Sequence, residues 1–93
     1  ISGAYEPRWD VAWSADFRSV THKGTHLSLT GPEAMAFRAY FEALRNDTPD
    51  LSDAFILEHI GSTARDFGEL TRRWSIRSLI AEGGSRGTHR LIL

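Results

Sequence analysis

Residues 51–74 read LSDAFILEHIGSTARDFGELTRRW, two short helix-forming runs separated by a single glycine. Ser52 can cap the first helix, because its hydroxyl can accept a hydrogen bond from a backbone amide of the first turn. Gly61 is typical of the residue after a helix C-terminus, where the backbone often adopts a positive φ. Ser62 or Thr63 can cap the next helix almost at once. This succession of short helix, glycine turn and short helix predicts a helix-turn-helix unit.

The second of these helices, predicted over residues 63–74, has an apolar face and an arginine-bearing face. At about 100° per residue, Phe67, Leu70 and Trp74 fall on one stripe, which we expect to pack on the core. The opposite stripe holds Arg65, Gly68, Glu69 and Arg72, and Arg73 flanks it. Gly68 lowers helix stability by about 1 kcal/mol relative to alanine, which is tolerable where the outer face must approach a ligand closely.

A glycine-rich segment follows, Glu82-Gly83-Gly84-Ser85-Arg86-Gly87, between two runs rich in strand-forming residues. These flanking runs, 79–81 and 88–93, predict a β-hairpin with the glycine-rich segment as its turn. A hairpin that follows a helix-turn-helix unit is the wing of a winged helix. Arg86 lies in this predicted wing (82–87), and Arg90 alternates with apolar residues in its second strand.

Two further elements are predicted upstream of the helix-turn-helix unit. Thr30-Gly31-Pro32-Glu33 is a capping box, in which the threonine and glutamate side chains each accept from the other residue's backbone amide. It predicts a helix that ends near Arg45. Lys23-Gly24 separates the runs 17–22 and 25–29 and predicts a β-hairpin, because glycine adopts the positive φ that a tight turn requires.

The apolar residues of these elements predict one shared core. On the helix after Ser52, the apolar side is formed by Phe55, Ile56 and Ile60. The predicted core consists of Leu27, Leu29, Phe37, Tyr40, Phe41, Leu44, Ile56, Ile60, Phe67, Leu70 and Trp74. Trp9, Val11 and Trp13 alternate in residues 1–16, which we expect to form an N-terminal extension that packs on this core.

Together the patterns predict an α+β winged helix-turn-helix domain over residues 17–93: an N-terminal β-hairpin, three helices and a C-terminal β-hairpin wing. The chain has 93 residues, 41% of them hydrophobic, which suits one modest core. No apolar run is long enough for a membrane span. Cysteine is absent, which excludes disulfides and thiolate chemistry and fits a cytoplasmic location. The chain begins without methionine, so we interpret it as a domain excised from a larger protein.

Charge is distributed unevenly along the chain. The net charge is −1, which gives no general support to nucleic-acid binding. Residues 64–93, however, hold six arginines and three acids, whereas residues 1–63 carry a net charge of −4. Arginine suits phosphates and guanine edges better than lysine does, because its guanidinium donates in a planar fork.

The order of elements resembles the winged-helix effector domains of OmpR/PhoB-type response regulators. The resemblance covers residues 17–93 and is carried by two short motifs, Leu29-Thr30-Gly31-Pro32-Glu33 and the ending from Ile80 to Gly87-Thr88-His89-Arg90-Leu91. It implies that the third helix lies in the major groove of DNA and that the wing lies at the minor groove or backbone. The third helix departs from the family pattern, because it includes Asp66, Gly68 and Glu69 and is less basic.

The sequence therefore predicts a double-stranded DNA-binding module of a larger, bacterial-type protein that regulates transcription. The predicted DNA-binding residues are Arg65, Gly68, Arg72, Arg73, Arg86 and Arg90. The alternative is an adaptor domain that binds a protein, which the overall acidity, Glu69 and the three tryptophans favour. We expect no enzyme activity, cofactor or metal, because His22 and His26 only flank a turn and no nucleophile or phosphate-loop motif is present. The oligomeric state stays open.

Overall fold

The computed structural model describes residues 3–93. These residues form three α-helices and two antiparallel sheets, which confirms the predicted α+β class. The elements in chain order are β1 (Gly3–Glu6), β2 (Val11–Ser14), β3 (Ser19–His22), β4 (Thr25–Ser28), α1 (Gly31–Arg45), β5 (Leu51–Ser52), α2 (Asp53–His59), α3 (Phe67–Thr71), a 3-10 helix (Ser75–Leu79), β6 (Ile80–Glu82) and β7 (Thr88–Leu91). Residues 1 and 2 of the predicted extension lie outside the described residues.

The first sheet has four strands in the order β1-β2-β3-β4. The predicted hairpin is confirmed as β3–β4, and Lys23 and Gly24 adopt φ values of 49° and 84° at its turn. This hairpin is part of a larger sheet. Residues 3–14 add two strands, because β2 pairs with β3 at Trp13 and Val20 and its own alternate residues face the core.

Helix α1 begins where the capping box predicts. Thr30 Oγ1 accepts from the Glu33 amide at 3.3 Å, and Glu33 Oε1 accepts from the Thr30 amide at 3.3 Å. The helix presents Phe37, Tyr40 and Phe41 to the core, and all three side chains are completely buried. Since α1 contacts both sheets and α2, it is the element on which the others assemble.

Replacing Thr30 with alanine should lower the free energy of unfolding by about 1 kcal/mol, because the cap oxygen is lost. A urea titration measures the change. Ser78→Ala is the control: this serine is exposed and its hydroxyl makes no hydrogen bond within residues 3–93, so a change of less than about 0.5 kcal/mol is expected. Equal losses in the two variants would mean that the threonine cap does not stabilise α1.

The core is formed largely by the predicted residues. Buried are Leu29, Phe37, Tyr40, Phe41, Ile56 and Phe67, and partly buried against them are Leu27, Leu44, Ile60, Leu70 and Trp74. Trp9 and Trp13 also pack on the core, with their rings edge-on to Phe41 at 6.0 and 4.7 Å between centroids. Phe55 was wrongly placed in the apolar face of α2. It is 47% exposed, because α2 directs the adjacent Ile56 into the core and successive helix residues point about 100° apart.

The second sheet joins the C-terminal hairpin to the segment between α1 and α2. The predicted hairpin is confirmed as β6–β7, with Ile80 opposite Leu91. The two-residue strand β5 pairs with the other edge of β7, with Leu51 opposite His89. This strand was not predicted, because two residues are too few to show a sequence period.

Helix α3 is shorter than predicted. The prediction placed it over residues 63–74, but it spans Phe67–Thr71 and a 3-10 helix follows at Ser75–Leu79. Ser62 accepts from the Ala64 amide and forms a local turn, whereas Asp66 accepts from the Glu69 amide at 2.8 Å and is the true N-cap. Trp74 has an extended backbone, with φ −74° and ψ 137°, which separates α3 from the 3-10 helix.

Candidate functional site

The arginines of the predicted recognition stripe flank α3 rather than lying along it. Arg65 precedes the N-cap and Arg72 is the C-cap, and both side chains are exposed. They nevertheless line one shallow surface depression together with Asp66, Gly68 and Glu69, which we call the α3 depression. The structure thus brings Arg65, Gly68 and Arg72 together as the sequence predicts. Arg73 is exposed next to them but does not line the depression.

The two acids of the α3 depression are bound to backbone amides. Asp66 Oδ1 accepts from the Glu69 amide, and Glu69 Oε2 accepts from the Arg65 amide at 3.1 Å. Asp66 therefore caps the positive end of α3, and Glu69 binds the amide of the residue that precedes this cap. Within residues 3–93, the ion pairs involve Arg8, Arg38, His89 and Arg90. In this part of the chain the guanidiniums of Arg65 and Arg72 are unpaired.

The turn between β6 and β7, residues 83–87, forms the second exposed basic site and is called the 83–87 turn. Arg86 is exposed at this turn and makes no ion pair among the described residues. The turn is closed by a bond from the Gly83 amide to the Thr88 carbonyl, 3.0 Å, and by the Thr88 hydroxyl on the Ser85 carbonyl. Gly87 supplies the positive φ of 78° that the return into β7 requires.

Arg90 has a partner within the chain. Its Nε donates to Asp50 Oδ1 at 2.6 Å, and the Gly84 amide donates to the other carboxylate oxygen at 2.9 Å. Arg90, followed by the Gly84 amide, holds the pKa of Asp50 below its usual range. Arg90 stays a predicted DNA contact, but its charge is offset by a carboxylate.

His89 connects β7 to both α2 and α3. Its Nδ1 lies 2.5 Å from Asp53 Oδ1, and its ring stacks on Phe67 with 4.2 Å between centroids. The Asp53 amide also donates to the Gly87 carbonyl at 2.9 Å. These contacts tie the base of the 83–87 turn to the helix pair. Sequence reasoning missed Asp50, Asp53 and His89, since their partners lie more than 30 residues away along the chain.

Tyr40 lies beneath this junction. Burial, with the Asp53 carboxylate as a secondary cause, raises the pKa of Tyr40 and so favours the neutral phenol. Its hydroxyl has no hydrogen-bond partner within residues 3–93. Such a side chain contributes apolar surface to the core and no charge to the site.

Residues 3–93 contain no cluster of three or more His, Cys, Asp or Glu side chains placed to hold a metal ion. The two histidines of the first hairpin lie on opposite faces of the sheet. His26 contacts Thr21 and Ser28, whereas His22 Nε2 is buried without a partner among the described residues. In the same range, no helix combines the length and the apolar character needed to cross a membrane.

The α3 depression and the 83–87 turn each present exposed arginines, and Arg73 and Arg77 are exposed outside these two places. Their guanidiniums can donate several hydrogen bonds each to phosphate oxygens or to base edges. No protein-family model, curated protein or solved structure matches this chain. The resemblance to OmpR/PhoB-type effector domains accordingly remains a prediction from short motifs.

Proposed function

We propose that the chain is a winged helix-turn-helix domain that binds double-stranded DNA. In this proposal α2 and α3 are the helix-turn-helix pair and the β6–β7 hairpin is the wing. The order of elements supports it: a four-stranded sheet, α1, the short strand β5, the two helices, and a hairpin that completes a three-stranded sheet with β5. Such a domain would serve as the DNA-binding module of a larger, cytoplasmic, bacterial-type regulator of transcription.

The observation that carries the proposal is the pair of unpaired arginines at the α3 depression. Arg65 and Arg72 flank a surface on which a Cβ at Gly68 would meet only Asp66 Oδ1, 3.3 Å away. The backbone there is open to close approach by a ligand. An open surface between two guanidiniums suits the phosphates that border a groove.

The two acids of the α3 depression argue against DNA binding less strongly than their number suggests. Asp66 and Glu69 have carboxylate oxygens bound to local amides, so these oxygens face the chain. The 83–87 turn adds Arg86, whose neighbours in the turn are glycines and a serine. Arg65, Arg72, Arg73 and Arg86 can then neutralise several phosphates in spite of the net charge of −1.

A salt titration with a mixed-sequence duplex tests the proposal. The logarithm of the association constant should fall linearly with the logarithm of salt concentration, by about 0.9 for each phosphate contacted. Arg72→Ala should flatten this slope by about one unit and weaken binding several-fold at low salt. The thermal unfolding midpoint should be nearly unchanged, since the Arg72 side chain is exposed and unpaired in residues 3–93.

Lys23→Asn is the matched control for this titration. It also removes one exposed positive charge, but at the tip of the first hairpin, and asparagine tolerates the φ of 49° at that position. Its slope should equal that of the wild type. Failure of the wild type to bind any duplex at low salt would refute DNA binding, and an unchanged slope in Arg72→Ala would place the duplex elsewhere on the surface.

The second candidate function is that of a protein-binding adaptor. It is favoured by the groove between α1 and α2, which is lined in part by Met35, Phe55 and His59. Met35 and Phe55 are 44% and 47% exposed and lie in the same groove, and neighbouring exposed apolar side chains suit a protein partner. Binding of a protein through this groove should depend little on salt, in contrast to DNA binding.

A further inference from the structure

Asp50 occupies an unusual position for an acid in a domain proposed to bind DNA. It lies just before β5, outside the β6–β7 hairpin, yet its carboxylate contacts both halves of that hairpin. One oxygen accepts from the Gly84 amide in the turn at 2.9 Å. The other accepts from Arg90 Nε in β7 at 2.6 Å.

The glycines of the turn make room for this carboxylate. A Cβ at Gly83 would lie 2.9 Å from Asp50 Cγ and would also collide with the Thr88 hydroxyl. A Cβ at Gly84 would lie 3.3 Å from Asp50 Oδ2. The absence of side chains at Gly83 and Gly84 therefore leaves the space in which the Asp50 carboxylate packs against the 83–87 turn.

The turn has few other attachments to the rest of the molecule. Strand β5 contributes only two residue pairs, Leu51 with His89 and Ser52 with Thr88. Beyond these, the Asp53 amide holds the Gly87 carbonyl at the β7 end of the turn. Among the described residues, the hydrogen bond that reaches the β6 end of the turn from outside the hairpin comes from Asp50.

We propose that Asp50 is a positioning residue for DNA binding: by holding Gly84 and Arg90 it fixes the direction in which the 83–87 turn presents Arg86 to the duplex. The inference rests on the proposed function. Asp50 acts through the turn and does not itself touch DNA. Arg90 and the Gly84 amide lower the pKa of this carboxyl group, which favours the charged form that makes both contacts.

The proposal predicts an affinity change opposite in sign to that of simple electrostatics. Asp50→Asn removes a negative charge and frees Arg90, so charge alone would strengthen DNA binding. If Asp50 positions the turn, the same variant should instead weaken binding by about threefold or more. The matched control is Asp47→Asn, which removes an exposed acid whose side chain makes no hydrogen bond within residues 3–93 and whose φ of 60° suits asparagine. This control should bind at least as tightly as the wild type.

A double-mutant cycle with Arg86→Ala separates positioning from general destabilisation. Because Asp50 acts through Arg86, Asp50→Asn should change affinity by less than about twofold when Arg86 is already alanine. The cycle is measured with the mixed-sequence duplex at low salt. Gly83→Ala, whose Cβ would push against both the same carboxylate and the Thr88 hydroxyl that closes the turn, is the second variant and should weaken binding in the same Arg86-dependent way.

Hydrogen exchange of the Gly84 amide gives a readout that does not involve DNA. Asp50→Asn should accelerate it about fivefold or more, while the amides of α1 keep their protection. If the wild type binds no duplex, the proposed function fails, and this exchange alone then supports or refutes the attachment of the turn. Unchanged Gly84 exchange, binding by Asp50→Asn as tight as that of Asp47→Asn, or fully additive losses with Arg86→Ala would each overturn the inference.

Discussion

Phe37→Ala is expected to lower the free energy of unfolding by about 3–5 kcal/mol, the range for truncation of a buried aromatic side chain. Phe37 is completely buried in the middle of α1. Its ring stacks on Phe41 with 5.8 Å between centroids and lies 6.1 Å from Phe17. These neighbours belong to α1 and to the turn between β2 and β3, so a cavity at Phe37 would loosen the contact between the helix and the first sheet.

Urea unfolding measures this loss, and Phe55→Ala is its matched control. The same atoms are removed, but Phe55 is 47% exposed and, within residues 3–93, its ring stacks on His59 of the same helix, at 5.4 Å. We expect a loss of about 1 kcal/mol or less at Phe55. Losses of similar size in the two variants would contradict the structure and favour the sequence-based assignment of Phe55 to the apolar side of α2.

The elements that were predicted correctly are those whose signals are local. The capping box at Thr30 and Glu33 spans four residues, and the bonds it implies are both present. The first hairpin depends on Lys23-Gly24, where two consecutive residues with positive φ match the twist of the flanking strands. The long apolar period of α1 likewise places its buried face correctly.

The start of α3 was predicted incorrectly because several residues competed for one role. Ser62, Thr63 and Asp66 can all cap a helix, and their residue types have similar preferences for the N-cap position. In the structure Asp66 caps α3, and the seven residues after α2 form a loop. The apolar face still came out correctly at Phe67, since burial of that ring does not depend on where the helix begins.

The sequence identified the arginines that share the α3 depression, but it did not identify the side-chain pairs that join distant parts of the chain near the candidate site. Arg65, Gly68 and Arg72 were named from their helical spacing and do share one depression. The pairs of Asp50 with Arg90 and Asp53 with His89 join residues 40 and 36 positions apart. Such pairs follow from the packing of the second sheet, and no short motif in the sequence encodes them.

Glu33 is the side chain for which removal of a charge should have the largest effect on stability. It is 2% exposed, and its carboxylate serves two separate segments. Oε1 accepts from the Thr30 amide at 3.3 Å, and Oε2 accepts from the Ile76 amide at 2.9 Å. The second bond connects the start of α1 to the 3-10 helix that follows α3. Glu33 therefore helps to fix the position of the 3-10 helix, which directly follows the segment that contains Arg65, Arg72 and Arg73.

Glu33→Ala should lower the free energy of unfolding by about 2–4 kcal/mol, because two amides lose their acceptor and at least that of Ile76 is buried. Urea unfolding gives the value. Glu42→Ala, on the same helix, is the matched control, since Glu42 is exposed and its ion pair in the described part of the chain is with the exposed Arg38; it should cost less than about 0.5 kcal/mol. Glu33→Gln keeps one acceptor oxygen but turns a donor toward the other amide, so its loss should fall between these two. A loss at Glu33→Ala no larger than at Glu42→Ala would show that the bond to Ile76 does not hold the 3-10 helix against α1.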